Sequence, residues 1–111
     1  MDLINWNDFE KVELRTGTIL EVLEFPNAHK PAFKLKIDFG NFGIKWSSAQ
    51  ITKNYNPANL IGKQIIAVIN FHEKQIANFI SECLVTGFED VNGNIVLPTV
   101  GEQVPNGSKL I

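Results

Sequence analysis

A chain of 111 residues with 44% hydrophobic and 20% charged residues can bury a core and is too apolar to be disordered. Its formal net charge of -2 opposes non-specific nucleic-acid binding, which depends on neutralising phosphates, although its ten Lys and Arg residues could still form a local basic patch. The one cysteine excludes an internal disulfide and fits a reducing compartment. No apolar run has the length of a secretion signal or a membrane span. We therefore expect a cytoplasmic protein with no membrane span.

The first predicted elements are a short helix and a long strand. The helix is predicted at residues 5–12, where Asp8 is a suitable N-cap. The strand is predicted at residues 14–25 and contains Gly17, which indicates a bend or bulge. A strand needs such an irregularity when it curls into a barrel, so this segment predicts the start of a small closed barrel.

Strand signals dominate the rest of the chain. Residues 33–39 alternate apolar and charged side chains, which is typical of a strand with one wet face. The apolar run at 64–69 predicts the most buried strand, and the Asn-Gly pair within 91–97 predicts a hairpin. The other predicted segments are a turn at 40–43, a strand at 44–51, a loop with one helical turn at 52–61, a loop at 70–79, a strand at 83–86 and a turn-rich tail from 101 to 111. We therefore expect an all-β OB-fold β-barrel with short helical decorations, formed by residues 1–111 as a single domain.

The sequence offers no positive case for catalysis. His29 and His72 lie in predicted loops, and Cys83 begins an apolar strand, where a thiol is usually buried and inert. No Cys or His pair has the spacing of a metal site, and no Gly-rich phosphate loop is present. These absences predict a non-enzymatic protein without a cofactor or a metal.

Cations interleaved with aromatic residues make a binding surface the better candidate. Lys34 belongs to the alternating strand, and Trp46 lies in the strand predicted to pair nearby. Each has a plainer interpretation, since Lys34 could belong to a solvated strand face and Trp46 to the core or an interface. Asn70 and Ser81 flank two predicted strands, where they would either hydrogen-bond across the barrel mouth or satisfy loop backbone groups.

Taken together, these residues resemble the tRNA-binding domain family, which includes the C-terminal appendix of bacterial methionyl-tRNA synthetases. The similarity runs along nearly the whole chain in several ordered segments. These are Asp8-Phe9, Lys11-Val12, residues 14–19, residues 25–28, residues 60–63, Asn70-Phe71 and Ser81. Within the family the chain is most similar to the CsaA group of stand-alone proteins described as protein-export chaperones, through residues 11–19, 47–53 and 104–107.

The resemblance implies an OB-fold homodimer that binds unfolded or pre-secretory polypeptides, with tRNA as the alternative partner. Carried over residue by residue, the nucleic-acid-binding positions are Lys30, Asn70, Phe71, Lys74 and Ser81. For polypeptide, we expect contacts from Lys34, Trp46 and Phe71.

Three positions depart from the family pattern. Gln75 stands where relatives have a second basic residue, and Leu84 takes the methionine position of the family's Ser-x-x-Met. A lost cation removes a phosphate contact, which favours polypeptide as the leading partner. Asn78 stands where relatives have glycine, and because Asn tolerates positive φ we expect it to keep the turn.

Apolar residues at both ends of the chain predict a homodimer. They are Leu3, Ile4 and Trp6 near the N-terminus and Leu110 and Ile111 at the C-terminus. Exposed apolar termini on a small barrel normally need cover, and a second copy would supply it.

Overall fold

The computed structural model describes all 111 residues, and most of its regular structure is β. In chain order the elements are α1 (Trp6–Glu10), β1 (Leu14–Glu24), β2 (Phe33–Asp38), a 3-10 turn (Gly40–Phe42), β3 (Ile44–Ala49), α2 (Pro57–Leu60), β4 (Gln64–Val68), β5 (Lys74–Ile76), β6 (Phe79–Ser81), β7 (Leu84–Val85), β8 (Phe88–Glu89) and β9 (Ile95–Val96). Neither α1, with five residues, nor α2, with four, approaches the length and apolarity that crossing a bilayer requires.

The main sheet is antiparallel, with strand order β3-β2-β1-β4-β7. The long strand β1 pairs with β4 through its first half and with β2 through its second half. The two outer strands curl towards each other, and the Glu82 backbone N–H donates to the Trp46 carbonyl at 2.8 Å. This contact nearly closes the sheet into a five-stranded barrel, which confirms the expected OB-fold.

The bulge of β1 lies at Leu20, so the prediction that placed it at Gly17 is wrong. Pairing with β4 runs without a break through Gly17, whereas pairing with β2 slips between Ile19 and Glu21. Gly17 serves a different purpose, because a Cβ there would lie 2.6 Å from the Ile37 side chain. The missing side chain lets β1 pass close over the core of the barrel.

The alternating pattern of β2 is confirmed. Phe33, Leu35 and Ile37 are at most 7% exposed and point into the barrel, while the lysines between them face outwards. Leu60, on the short helix α2, is fully buried and covers one end of this core. Removing each such side chain from water contributes about 1.5–3 kcal/mol, so these few residues supply much of the barrel's stability.

The C-terminal tail pairs with the first half of β1, on the edge that β2 leaves free. The Thr16 N–H donates to the Ser108 carbonyl at 3.0 Å, and the Gly107 N–H donates to the Thr16 carbonyl at 2.7 Å. The Arg15 guanidinium donates to the Gly107 carbonyl at 3.0 Å and to the Glu13 carboxylate at 2.8 Å. The sequence predicted only a turn-rich tail, because the bonds that fix it come from residues about ninety positions away.

Two hairpins extend from the barrel. Residues 70–79, predicted as a loop, contain all of β5, the two-residue turn Ala77-Asn78 and the first residue of β6 in the β5–β6 hairpin. The turn expected at Asn78 is present, but its positive φ is at Ala77, at 53°, and not at Asn78. The predicted hairpin around the Asn-Gly pair is confirmed as β8–β9, in which the Asp90 carboxylate accepts the backbone N–H groups of residues 92 and 94.

Candidate binding surfaces

Three lysines from distant parts of the chain line one groove of about 620 Å3. We call it the lysine groove and define it by Lys30, Lys53, Lys74, Ser81 and Glu89. None of its lysines lies within 4.0 Å of a carboxylate, and Glu89 is its one acidic residue, so three positive charges face one negative charge. A chain of net charge -2 therefore concentrates positive charge here, which favours an anionic ligand.

Of the five predicted nucleic-acid-binding residues, the structure brings three together in the groove. Lys30, Lys74 and Ser81 line it, and Ser81 is buried at its floor. The Ser81 hydroxyl accepts the Ser48 backbone N–H at 3.2 Å and donates to the Cys83 carbonyl at 3.4 Å. Its polar atom thus bonds one backbone group in β3, across the closure of the barrel, and one in the connection to β7, so it combines the two interpretations for this residue.

Asn70 and Phe71 lie elsewhere. The Asn70 amide donates to the Lys11 carbonyl at 2.7 Å and accepts the Glu13 N–H at 3.0 Å, so it fastens the end of β4 to the connection between α1 and β1. This side chain satisfies backbone groups of another segment and does not face the groove. Phe71 follows it and is 58% exposed, and it lines neither the lysine groove nor the pocket described next.

A second concavity, of about 380 Å3, is lined in part by residues 78–80 of the β5–β6 hairpin. We call it the aromatic pocket and define it by Leu23, Lys34, Trp46, Asn78, Phe79, Ile80 and Glu82. Two of the three predicted peptide-binding residues, Lys34 and Trp46, therefore share one pocket, and Phe71 is outside it. Leu23 is 43% exposed and Ile80 is 44% exposed, so the rim of the pocket presents apolar surface to solvent.

Aromatic rings hold the Lys34 ammonium in place. Its Nζ lies 4.7 Å from the ring centroid of Phe25 and 5.2 Å from that of Phe79. Phe79 in turn packs edge-on against Phe25, with centroids 5.3 Å apart, and against Trp46, with centroids 6.3 Å apart. Lys34 is therefore part of a cation–π cluster, and the alternative of a plain solvated strand face is wrong for this residue.

Glu82 fixes Trp46 from the other side of the pocket. Its Oε1 accepts the Trp46 backbone N–H at 2.9 Å, next to the backbone bond that closes the barrel. Nothing in the sequence alone marks Glu82, Phe79 and Leu23 as pocket residues. Phe79 and Glu82 lie in or beside a strand of three residues, too short for an alternation pattern, and only the barrel's closure brings Leu23 near them.

The remaining reactive group is buried. Cys83 is 6% exposed, and burial raises the pKa of its thiol to about 11 against a smaller lowering by the Ser47 hydroxyl. A thiol with such a raised pKa is protonated at neutral pH and is a poor nucleophile. No three His, Cys, Asp or Glu side chains lie close enough together to hold a metal ion.

Comparisons with known proteins agree on one family. The family model described as a putative tRNA binding domain matches residues 14–109. The crystal structure of the chaperone CsaA from Bacillus anthracis str. Ames is 48% identical, covers 99% of this chain and 100% of that one, and superposes with a TM-score of 0.92. The crystal structure of the CsaA chaperone protein from Picrophilus torridus is 53% identical, covers 98% of this chain and 100% of that one, and superposes with a TM-score of 0.91.

The curated relatives include much longer proteins. The methionine–tRNA ligase of Methanocaldococcus jannaschii is 32% identical over 110 residues, which are 99% of this chain and 17% of the ligase. The chain thus spans about a sixth of the length of such relatives and corresponds to the tRNA-binding part of the ligase rather than to its catalytic part. On these matches, the chain belongs to the putative tRNA-binding domain family.

Proposed function

We propose that this protein is a non-enzymatic, CsaA-type chaperone that binds unfolded or pre-secretory polypeptides. The observation that carries the proposal is the aromatic pocket, in which apolar surface is left exposed on a barrel whose core is otherwise closed. Two solved structures that are 48% and 53% identical over almost the whole chain are both named chaperones, which supports the same function.

An extended polypeptide segment would place apolar side chains in the pocket and its backbone along the adjacent hairpin. The rim residues Leu23 and Ile80 would each lose exposed surface, at about 25 cal/mol for each Å2 buried. β5 pairs only with β6, so the outward-facing backbone groups of Gln75 have no protein partner and can accept a strand. Contacts of this kind depend little on sequence, which suits a protein that holds many clients.

We further propose that two copies associate through the chain termini. The Lys109 ammonium donates to the Glu10 carbonyl at 3.1 Å, so the tail and α1 lie at the same end of the barrel. Leu3, Trp6 and Ile111 are 91%, 64% and 95% exposed there. A homodimer would cover this apolar surface.

We place the protein in the cytoplasm, because tRNA is the substrate of its ligase relatives and its one thiol has no disulfide partner.

Suppression of client aggregation tests the proposal. Ile80→Ser removes apolar surface from the pocket rim, and Val91→Ser is the matched control because Val91 is fully exposed at the tip of the β8–β9 hairpin. Light scattering of an unfolded polypeptide diluted from denaturant should fall with the wild type and with Val91→Ser, and much less with Ile80→Ser. Failure of the wild type to reduce scattering, or equal activity of the two variants, would contradict polypeptide capture in the pocket.

The lysine groove supports a second candidate, which is binding of structured RNA such as tRNA. Three unpaired lysines in one groove suit an anionic phosphate backbone better than they suit an apolar segment. RNA affinity should then fall with added salt, and Lys74→Glu should reduce the slope of log affinity against log salt by about one unit. Lys63→Glu, which lies outside the groove, is the control and should leave the slope unchanged.

A further inference from the structure

The aromatic pocket holds one cation without an anionic partner. Its two charged residues are Lys34 and Glu82, and the Glu82 carboxylate already accepts the Trp46 backbone N–H. Lys34 lies within 4.0 Å of no carboxylate, although Lys36, on the same face of β2, is 4.0 Å from Glu21. The pocket therefore carries one charge of each sign, of which the Glu82 carboxylate is bound to the Trp46 backbone while the Lys34 ammonium is in no ion pair and lies beside exposed apolar surface.

The position of this charge is set before any ligand arrives. Lys34 stands between Leu23 and Ser48 on the neighbouring strands, and the Phe25 and Phe79 rings cover one side of its ammonium. Lys34 as a whole is partly exposed to solvent. A cation that is already held loses little side-chain freedom when an anion binds, so pairing with it is more favourable than pairing with a free surface lysine.

We propose that the aromatic pocket selects extended polypeptide segments that carry an apolar residue and an acidic side chain two positions apart. Residues two positions apart project from the same face of an extended chain, so one would pack on Leu23 and Ile80 while the carboxylate meets Lys34. A basic segment would instead bring a second cation to rings that Lys34 occupies. This inference rests on the proposed function, since it names the ligand class of the same site.

Labelled peptides of one length test the selection. The set contains peptides with the patterns Leu-x-Glu, Leu-x-Gln and Leu-x-Lys. A fourth peptide has the same amino acids as the Leu-x-Glu peptide, but its Leu and Glu are adjacent. By fluorescence anisotropy, wild-type protein should bind Leu-x-Glu about two- to fivefold more tightly than Leu-x-Gln, and the ratio should fall towards one as salt is added. The adjacent peptide should bind no better than Leu-x-Gln.

Two substitutions in the same strand assign the effect to one residue. Lys34→Met keeps an unbranched chain that packs on aromatic rings, and the variant should bind Leu-x-Glu and Leu-x-Gln with equal affinity. Lys36→Met, the matched control, should retain the wild-type ratio. A preference for Glu that survives in Lys34→Met overturns the inference, and so does binding of Leu-x-Lys as tight as that of Leu-x-Glu.

Other occupants of the pocket give distinct results. Displacement of the Leu-x-Glu peptide by tRNA, with equal weakening of tRNA binding in Lys34→Met, would assign the pocket to nucleic acid. Loss of peptide binding as the protein associates would assign it to a second copy, and either result overturns the inference. If every peptide binds equally and binding requires Ile80, this inference fails and the proposed function stands. If no peptide binds, the proposed function fails as well.

Discussion

Replacing Gly17 by Ala should destabilise the barrel, because the new methyl group would clash with buried side chains. A Cβ at this position would lie 2.6 Å from Ile37 Cγ2 and 2.7 Å from Phe39 Cε1, whereas ordinary contacts begin at 3.4 Å. Both neighbours are fully buried, so neither can retreat towards solvent and β1 itself has to shift. Overpacking of this kind costs about 1–3 kcal/mol, and Ala restricts the unfolded chain, which offsets about 0.4–1 kcal/mol, so the net loss is at most about 2.6 kcal/mol with a central value of about 1.3 kcal/mol.

Urea unfolding followed by tryptophan fluorescence measures this loss. The midpoint for Gly17→Ala should fall by about 0.5–1 M at a typical slope near 2 kcal/mol per M. All variants are compared at one protomer concentration, since association would also change the midpoint. Gly101→Ala is the control, because a Cβ at Gly101 would meet nothing within 4 Å. Equal midpoints for the two variants would show that the core side chains rearrange to accept the methyl group. Close packing would then not explain why position 17 is a glycine.

Three further changes test separate parts of the structure. Arg15→Met removes the hydrogen bond to the Gly107 carbonyl and should cost about 1–3 kcal/mol in the same urea assay. The Arg15 guanidinium also lowers the pKa of Glu13 from 4.5. The stability that this pair contributes is therefore present above pH 4.5 and is lost as the pH falls through the lowered pKa. In Arg15→Met, the free energy of unfolding should depend less on pH in this acidic range. Cys83, with a thiol pKa of about 11, should be about a thousandth thiolate at pH 8 and should react with iodoacetamide only after unfolding. Asn70→Ala should lower stability by about 1–2 kcal/mol through its two lost backbone contacts and leave the salt slope of RNA binding unchanged.

The parts of the fold that sequence predicted well are those with a strong local pattern. The alternation from Phe33 to Phe39 predicted both a strand and its buried face, because the period of two is a property of extended backbone itself. The Asn-Gly pair predicted the β8–β9 hairpin, because Gly93 adopts the positive φ that such turns require. In both cases the decisive information lies within a few neighbouring residues.

The parts that sequence missed depend on distant neighbours. The bulge at Leu20 arises where β1 changes from one partner strand to the other, and Gly17 is needed because Ile37 and Phe39 come close to it. The positive φ in the β5–β6 turn is at Ala77, where nothing in the residue type indicates it. Neither feature can be inferred until the register of the sheet is known.

The candidate sites show the same division. Residue chemistry suggested Lys34 and Trp46 as ligand contacts, and the closed barrel places both in the aromatic pocket. The sequence could not distinguish Asn70, whose amide bonds to backbone, from Lys74, which lines the groove, because each follows β4 at a loop or strand end. Spatial grouping rather than residue type separates a structural polar group from an available one.

The fluorescence of Trp46 reports on polypeptide capture in the aromatic pocket. The chain has two tryptophans, so Trp6→Phe leaves Trp46 as the one indole in the protein. Titration with an unfolded polypeptide that lacks tryptophan should move the Trp46 emission to shorter wavelengths and saturate, because the half-buried indole loses its remaining water. Unchanged Trp46 emission at concentrations where the same polypeptide is bound, as measured by anisotropy, would place the binding surface elsewhere and contradict the proposed function.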